Sequence, residues 1–424
     1  MLPILVIFIV ASSCILWQYL LHGHIMQLGI FFNLLAMAYM VFGLAISWNQ
    51  VSEYTFMLEQ IGWMSVIAVI GFNISYIVFR SYPSRVAWRS PDYLPSHTAL
   101  LFFTGIGLSF QLAAILLTGP LDFFLSDRVD RFAFFHYRKA MFYLGNLTNV
   151  CLPIILLRYL TFGQQNDRKL FYFLLCYSLL YGIVTISRFD LSITLIVILY
   201  FWERSGTLRP YVIIGILLIA FVISIFFKPA FYEVILDKPY QRLFDYNEYT
   251  NWIRHTVLLM SRPEVELPHN GYLLTLKSLF VLSPEQESLS EWFFREFYLD
   301  KKVLFPGLGY GFSGLWEGYV ANGLTGIALH FAFFGALFGL IERSPTAMRH
   351  VFIVFAMILA YRLFRSEVYN FTKTYAWYFA YPTFAIVVAD KFMSWASNHR
   401  AVKTPYLHGT TSHLHHNSDR LTKS

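Results

Sequence analysis

Long apolar runs separated by short polar segments recur along this chain. Eleven runs approach the ~20 residues that carry a helix across a bilayer. They cover residues 1–21, 28–47, 61–79, 98–118, 140–160, 170–186, 190–203, 210–227, 316–341, 350–366 and 376–393. The first has no Lys or Arg and no small-residue cleavage pattern, so it reads as a span and not as a leader peptide. The sixth and seventh are short and meet at Ser187–Asp190 as two short or tilted helices. One polar stretch, 228–315, breaks the pattern; it is too long for a plain connector and is expected to carry function. The expected fold is therefore an all-α polytopic membrane protein with about 11 transmembrane helices. Residues 1–227 hold the N-terminal helices, 228–315 a long extracytoplasmic loop, and 316–393 the C-terminal helices. The tail 394–424 is polar and expected to be disordered.

Composition sharpens this picture. Charged residues make up 13% of the chain and hydrophobic ones 57%, with a mean hydropathy of +0.53, whereas soluble domains are roughly 25% charged. Cys14, Cys151 and Cys176 all fall in expected spans, which argues against a disulfide framework or a thiolate metal site. His408, His413, His415 and His416 crowd the tail without a carboxylate or cysteine framework, so no metal or other cofactor is expected. The net charge of +7 has no contiguous soluble basic domain behind it, so nucleic acid is not an expected partner. Membrane lipid is: anionic headgroups or a phosphorylated lipid substrate fit this charge better. Lys and Arg also orient the spans. Fifteen fall on one side and seventeen on the other, but nine of the seventeen lie in 228–315, which the positive-inside rule exempts. That leaves 15 against 8 and places the C-terminus in the cytoplasm, with the long loop and the N-terminus outside.

The outer cations then require an explanation. Arg128, Arg131, Phe135, Arg138 and Lys139 have helical spacing. They form either an interfacial helix with snorkelling arginines or a rim that draws in a phosphorylated lipid. Ser187-Arg188-Phe189-Asp190 sits between two short spans; Arg188 is either a snorkelling flank or, with Asp190, part of a polar pair facing a cavity. In the long loop, Asp245, Glu248, Trp252 and His255 share a face if that piece is helical. Aromatics beside carboxylates suit sugar rings, and are also ordinary at a membrane interface. Arg362, Arg365, Ser366, Tyr369 and Lys373 form a stripe whose cations repel at i, i+3 spacing. Solvation would relieve that repulsion; phosphate, matched by the guanidinium fork, is the favoured reading.

The last stretch, Phe305–Ile341, opens on Gly307, Gly309, Gly311 and Gly314, with Ser313 as a candidate N-cap. Tyr319, Asn322, Gly323, Gly326 and His330 follow at offsets that place them on one face of a continuous helix. That face is either a packing seam or a polar surface turned to protein or water. The run Gly309-Tyr-Gly-Phe-Ser-Gly-Leu-Trp-Glu317-Gly-Tyr319-Val-Ala-Asn322-Gly323-Leu-Thr-Gly326 resembles a signature of Wzy-type oligosaccharide repeat-unit polymerases. Ser187-Arg188, Gly271-Tyr272-Leu273 with Ser283-Pro284, and the late Arg362 and Arg365 resemble further elements of that family. Two departures stand out: Leu282-Ser283-Pro284-Glu285 occurs where the family often has Pro-Arg, and no Phe separates Asn322 from Gly323.

The resemblance implies a GT-C-like, metal-independent glycosyltransferase of a bacterial cytoplasmic (inner) membrane. Its substrate would be an undecaprenyl-pyrophosphate-linked oligosaccharide, and a chain-length regulator and a flippase of the same pathway would be its partners. For that reaction Arg188, Arg362 and Arg365 are the expected catalytic cations at the pyrophosphate and Glu317 or His255 the expected base, with Glu317 alternatively a structural residue that bonds loop amides at the helix N-terminus. Asp190, Arg128, Arg131, Tyr319, Asn322 and Tyr369 would bind substrate. An O-antigen ligase on the same scaffold is one alternative, and a transporter or flippase for lipid-linked oligosaccharides is another. Against the transporter stand the absence of a clear repeat between the halves and the scarcity of acids within the spans.

Overall fold

The computed structural model describes residues 1–50, 54–81, 93–118, 143–184, 188–220, 248–262, 292–293, 295–296, 314–344, 346–365 and 368–402. Every regular element among them is helical. α1 (Leu2–His22) precedes α2 (Leu28–Ala36), which passes through a π-helical stretch at Met37–Phe42 into α3 (Gly43–Gln50). α4 (Thr55–Ser81), α5 (His97–Thr118), α6 (Leu147–Phe162), α7 (Gln165–Val184), α8 (Arg188–Arg204) and α9 (Pro210–Ala220) follow. α10 (Glu248–Met260) belongs to the long polar segment. The C-terminal part holds α11 (Gly314–Arg343), α12 (Arg349–Ala360), the single turn α13 (Arg362–Arg365), α14 (Val368–Thr374), a second π-helical stretch at Tyr375–Ala380, and α15 (Tyr381–Val402).

Among the described residues six helical stretches are long and apolar enough to cross a membrane: Leu2–His22, Leu28–Trp48, Thr55–Ser81, His97–Leu117, Tyr143–Phe162 and Gly314–Arg343, the last interrupted at Asn322–Gly323. This is the architecture of a helical membrane protein. α15 continues to Val402, past the boundary expected at 393.

Lipid tails are as apolar as leucine, so burial alone does not drive these helices together; close backbone approach and interhelical hydrogen bonds do. The α4–α11 pair, the most extensive contact between elements, uses the first device. A Cβ on Gly71 would lie 2.9 Å from the Ala328 carbonyl oxygen, and one on Gly339 would lie 2.8 Å from the Tyr76 carbonyl oxygen. Gly335 meets the Phe72 carbonyl closer still. The second device joins α1, α2 and α4. Asn33 Nδ2 donates to Asn73 Oδ1 at 2.8 Å, Asn73 Nδ2 returns a bond to Asn33 Oδ1 at 2.9 Å, and Gln18 Nε2 donates to Asn73 Oδ1 at 3.3 Å. Bonds of this kind average roughly 0.6 kcal/mol each, so they set helix register more than they supply bulk stability. Between these polar contacts runs an aromatic core, with Phe32 stacked on Phe72 and tilted against Phe364 at 5.0 Å.

Charged residues mark one end of the bundle. Glu203 accepts from the backbone N–H groups of Ile25 (2.5 Å) and Met26 (2.8 Å), and Glu342 accepts from that of Leu28 at 2.6 Å. Leu28 opens α2, so this carboxylate caps an orphan helix donor and faces the positive end of the helix dipole. Arg80 pairs with Glu342 at 3.2 Å, and Tyr200 bonds His350 at 2.7 Å. Arg80, Arg204 and Arg349 thus share an end, as the distribution of cations in the sequence requires.

Candidate functional site

The opposite end gathers polar residues from distant parts of the chain. Asp190 lies in the first turn of α8, fourteen residues before Arg204, which at 1.5 Å per residue is about 21 Å from the Arg80 end. Its Oδ1 accepts from Asn149 Nδ2 at 2.7 Å. Asn149 also donates to Asn146 Oδ1 at 3.0 Å, and Asn146 Nδ2 donates to the Tyr378 carbonyl at 2.8 Å. Asn146 is the residue before α6, yet its side chain does not cap that helix. It reaches instead to the π-helical stretch Tyr375–Ala380, where the extra residue per turn changes the backbone pairing that an α-helix would have.

The same device recurs on the other side of the core. Trp252 Nε1 donates at 3.3 Å to the carbonyl of Tyr39, which lies in the first π-helical stretch. That bond fastens α10, a helix of the polar segment, onto the membrane helices.

Arg362 completes the cluster. Its guanidinium acts electrostatically on both Tyr143 and Tyr378, and Asp190 and Tyr361 act on Tyr378 as well. Tyr143 meets Tyr378 edge-on at 4.9 Å, and the Arg362 guanidinium carbon sits 5.9 Å from the Tyr361 ring centre. A second polar chain approaches from behind: Tyr177 donates to Gln111 Oε1 at 2.6 Å, and Gln111 Nε2 donates to Thr148 at 3.2 Å. Asp190 also acts electrostatically on Tyr177. α13, the turn that carries Arg362, contacts α10, α11 and α12. Its Leu363 and Phe364 are buried, which anchors the turn and fixes where its arginines begin.

The glycine-rich helix α11 departs from the expected geometry. Asn322 and Gly323 are not helical, and Gly323 has φ 56° with ψ −142°, a region that glycine alone enters without strain. A straight helix would hold residues 318 and 326 about 12 Å apart. Here a Cβ on Gly326 would overlap the Gly318 carbonyl oxygen, and a Cβ on Gly314 would stand 3.2 Å from His330 Nε2. The segment is therefore an antiparallel hairpin with arms 314–321 and 324–343. Tyr319, Asn322, Gly323, Gly326 and His330 do not share a face of one helix; the break at Asn322–Gly323 divides them. Gly318 and Gly326 are the seam between the arms. Two elements meet at the base of the hairpin, because a Cβ on Gly314 would lie 2.6 Å from the Leu363 carbonyl oxygen.

Height follows from the same arithmetic. His330 is thirteen residues, about 20 Å, from Arg343 at the Arg80 end, much as Asp190 is from Arg204. The base of the hairpin and Asp190 thus stand at similar height, and the turn at Asn322–Gly323 projects beyond them. Glu317 is buried on the first arm, deeper than the turn and not at the outermost edge of the helix. Tyr319 stacks on Trp316 at 5.1 Å and is half-exposed. His255 is buried on α10, on the same side as Trp252, with its ring 5.0 Å from that of Phe293. Glu248, Trp252 and His255 do lie on one helix, while Asp245 falls outside the described residues.

Arg188 opens α8 two residues before Asp190, and Arg365 closes the turn that Arg362 opens. Tyr369 lies in α14. Arg128, Arg131, the rest of that cationic stripe, and Ser313 fall outside the described residues. The structure adds Tyr143, Asn146, Asn149 and Tyr378 to the candidate site. Asn146 and Asn149 carried a signal, being two amides at i, i+3 inside an apolar run. Tyr143 and Tyr378 carried none among 28 tyrosines. Among the described residues no group of three or more His, Cys, Asp or Glu side chains converges to hold a metal ion. No family model, curated protein or solved structure matches this chain.

Proposed function

We propose that this chain is a glycosyltransferase that polymerises lipid-linked oligosaccharide repeat units at the outer face of a bacterial cytoplasmic membrane, with its C-terminus in the cytoplasm. The observation that carries the proposal is that the Asn146–Asn149 chain links Asp190 to the Tyr378 backbone, while the turn that carries Arg362 packs against the base of the glycine hairpin and both charges act electrostatically on Tyr378. Arg188 and Arg365 ride on the same two short elements. An arginine at membrane depth beside aromatic rings, with two more arginines on the same two elements, suits a pyrophosphate attached to a sugar.

In the reaction, a hydroxyl oxygen of one repeat unit attacks C1 of the growing glycan. The bond from C1 to the lipid pyrophosphate breaks, and the pyrophosphate leaves with the electron pair. Arg188, Arg362 and Arg365 meet the charge that develops on the departing oxygens. The hydroxyl proton passes to a base, and Glu317 and His255 are the candidates at the hairpin and at α10. Asp190, with Asn149 behind it, orients the sugar or the neighbouring Arg188.

The test is a gel profile of surface glycan from a deletion strain carrying the wild-type gene or a variant. Arg188→Ala is expected to collapse the ladder to a core-plus-one-repeat band. Complete loss of surface repeats, with polymer held on the lipid carrier, would instead identify a ligase; single units held there would identify a flippase. In the same assay Glu317→Gln is expected to shorten or abolish the ladder. A full chain-length distribution from that variant removes Glu317 as the base and leaves it a structural role in the hairpin.

A further inference from the structure

Beyond this reaction, the opposite end of the bundle carries a groove that the proposed chemistry does not use. It lies between the first turns of α5 and α7, measures about 290 Å³ and opens to the outside of the bundle. Asn166 and Lys169 line its upper part with His97; Leu101, Leu170 and Phe173 line the rest. The groove is remote from the Asp190 cluster. α7 spans 20 residues, about 30 Å, between this end and the end that adjoins α8.

One polar wall of the groove, His97, is held from behind by a buried network. Asp167 is fully buried and accepts from Arg158 Nε at 3.2 Å while its other oxygen meets His97 Nδ1 at 2.7 Å. Arg158 is itself fixed by the Pro95 carbonyl at 2.6 Å. One carboxylate is thus shared by an arginine and a histidine, and Arg158 already offsets its charge. The bond to Asp167 uses Nδ1 and leaves Nε2 as the other nitrogen of the His97 ring. No acidic side chain among the described residues pairs with Lys169, which is exposed. The local charge is therefore positive. Leu101 and Phe173, about half-exposed, face what surrounds the bundle.

We propose that this groove seats one anionic phospholipid. Its phosphate lies between Lys169, Asn166 and His97, and an acyl chain runs along Leu101, Leu170 and Phe173. Charge complementarity selects the headgroup, and the order of polar and apolar walls matches a lipid entering from the membrane edge. Basic pockets between membrane helices at the cytoplasmic side have this chemistry. Such a lipid pins the α5–α7 pair, one face of the scaffold that carries Asp190.

Native mass spectrometry of the full chain, released from vesicles of equal phosphatidylglycerol and phosphatidylcholine, tests the assignment. Wild-type protein is expected to retain phosphatidylglycerol in preference to phosphatidylcholine. Lys169→Gln, an exposed substitution that leaves the Asp167 network intact, is expected to lower that preference about fivefold. His97→Gln is expected to lower it as well. Arg209→Gln, which removes an exposed cation at the same end, leaves it unchanged. Equal retention of the two lipids by the wild type overturns the proposal, as does an unaltered preference in Lys169→Gln. Displacement of the bound lipid by millimolar inorganic phosphate would assign the site to free phosphate and also overturn it.

Discussion

Arg362→Ala is expected to reduce glycan polymerisation by roughly two to three orders of magnitude, the usual effect of removing one group that meets developing charge in a transition state. Protein abundance in the membrane fraction should stay close to wild type. The expectation rests on where the side chain sits. Leu363 and Phe364 bury the turn in the core, while the Arg362 guanidinium sits beside the Tyr361 ring and acts electrostatically on Tyr143 and Tyr378. The anchoring residues are untouched by the substitution, so the loss should fall on turnover and not on folding. Arg362→Lys retains a charge but not the planar fork that grips two phosphate oxygens at once. It is expected to recover only a small part of the ladder. A near-normal ladder from either variant, with Arg209→Ala as the control at the far end, would refute a pyrophosphate contact by this residue.

Gly326→Val should be the most damaging apolar substitution in the second half of the chain. A side chain there enters the space of the Gly318 carbonyl, which is backbone and cannot swing aside as a flexible side chain would. Overpacking of this kind costs roughly 1–3 kcal/mol and more where the neighbour cannot yield. The arms of the hairpin would have to part, moving Gly314 away from Leu363 and the turn of Arg362 with it. A clear fall in the thermal unfolding midpoint in detergent is expected, together with loss of the glycan ladder. Gly105→Ala is the matched control, because a Cβ at that helical position meets nothing within 4 Å and alanine is the better helix former. Equal midpoints for the two variants would mean that the arms are not packed at Gly318 and Gly326.

Much of the architecture was legible in the sequence, because a bilayer imposes a length and a polarity on every helix that crosses it. The apolar runs at 1–21, 28–47, 61–79 and 98–118 correspond closely to long apolar helices. The clustering of Arg80, Arg204 and Arg349 at one end follows from the same constraint. The residues of the candidate site were partly legible. A charge or an amide inside an apolar run is costly, so Asp190 and Arg362 were conspicuous where they stood. Their partners were not, since Tyr143 and Tyr378 are ordinary residues in an aromatic-rich chain and only their neighbours distinguish them.

The glycine motif shows where helical periodicity misleads. Spacing of three, four, seven and eleven defines one face only if the helix is unbroken. In this chain Gly323 takes a backbone conformation with φ 56° that ends the helix, and Gly318 and Gly326 then let the arms close to backbone contact. Glycine is compatible with a continuous packed helix and with a sharp reversal, so the sequence permits both.

Single-chain patterning therefore determined that this is a helical membrane protein, which segments are apolar enough to be buried or to face lipid, and which polar residues stand out in them. These are local properties, fixed by the cost of placing polar groups in hydrocarbon. Tertiary structure decided that Asp190 and Arg362, 172 positions apart, share the surroundings of Tyr378, and that the motif helix folds back on itself. Both depend on which helix packs against which. That is settled by close glycine contacts and a few interhelical hydrogen bonds, whose energies belong to pairs of segments and are written in neither segment alone.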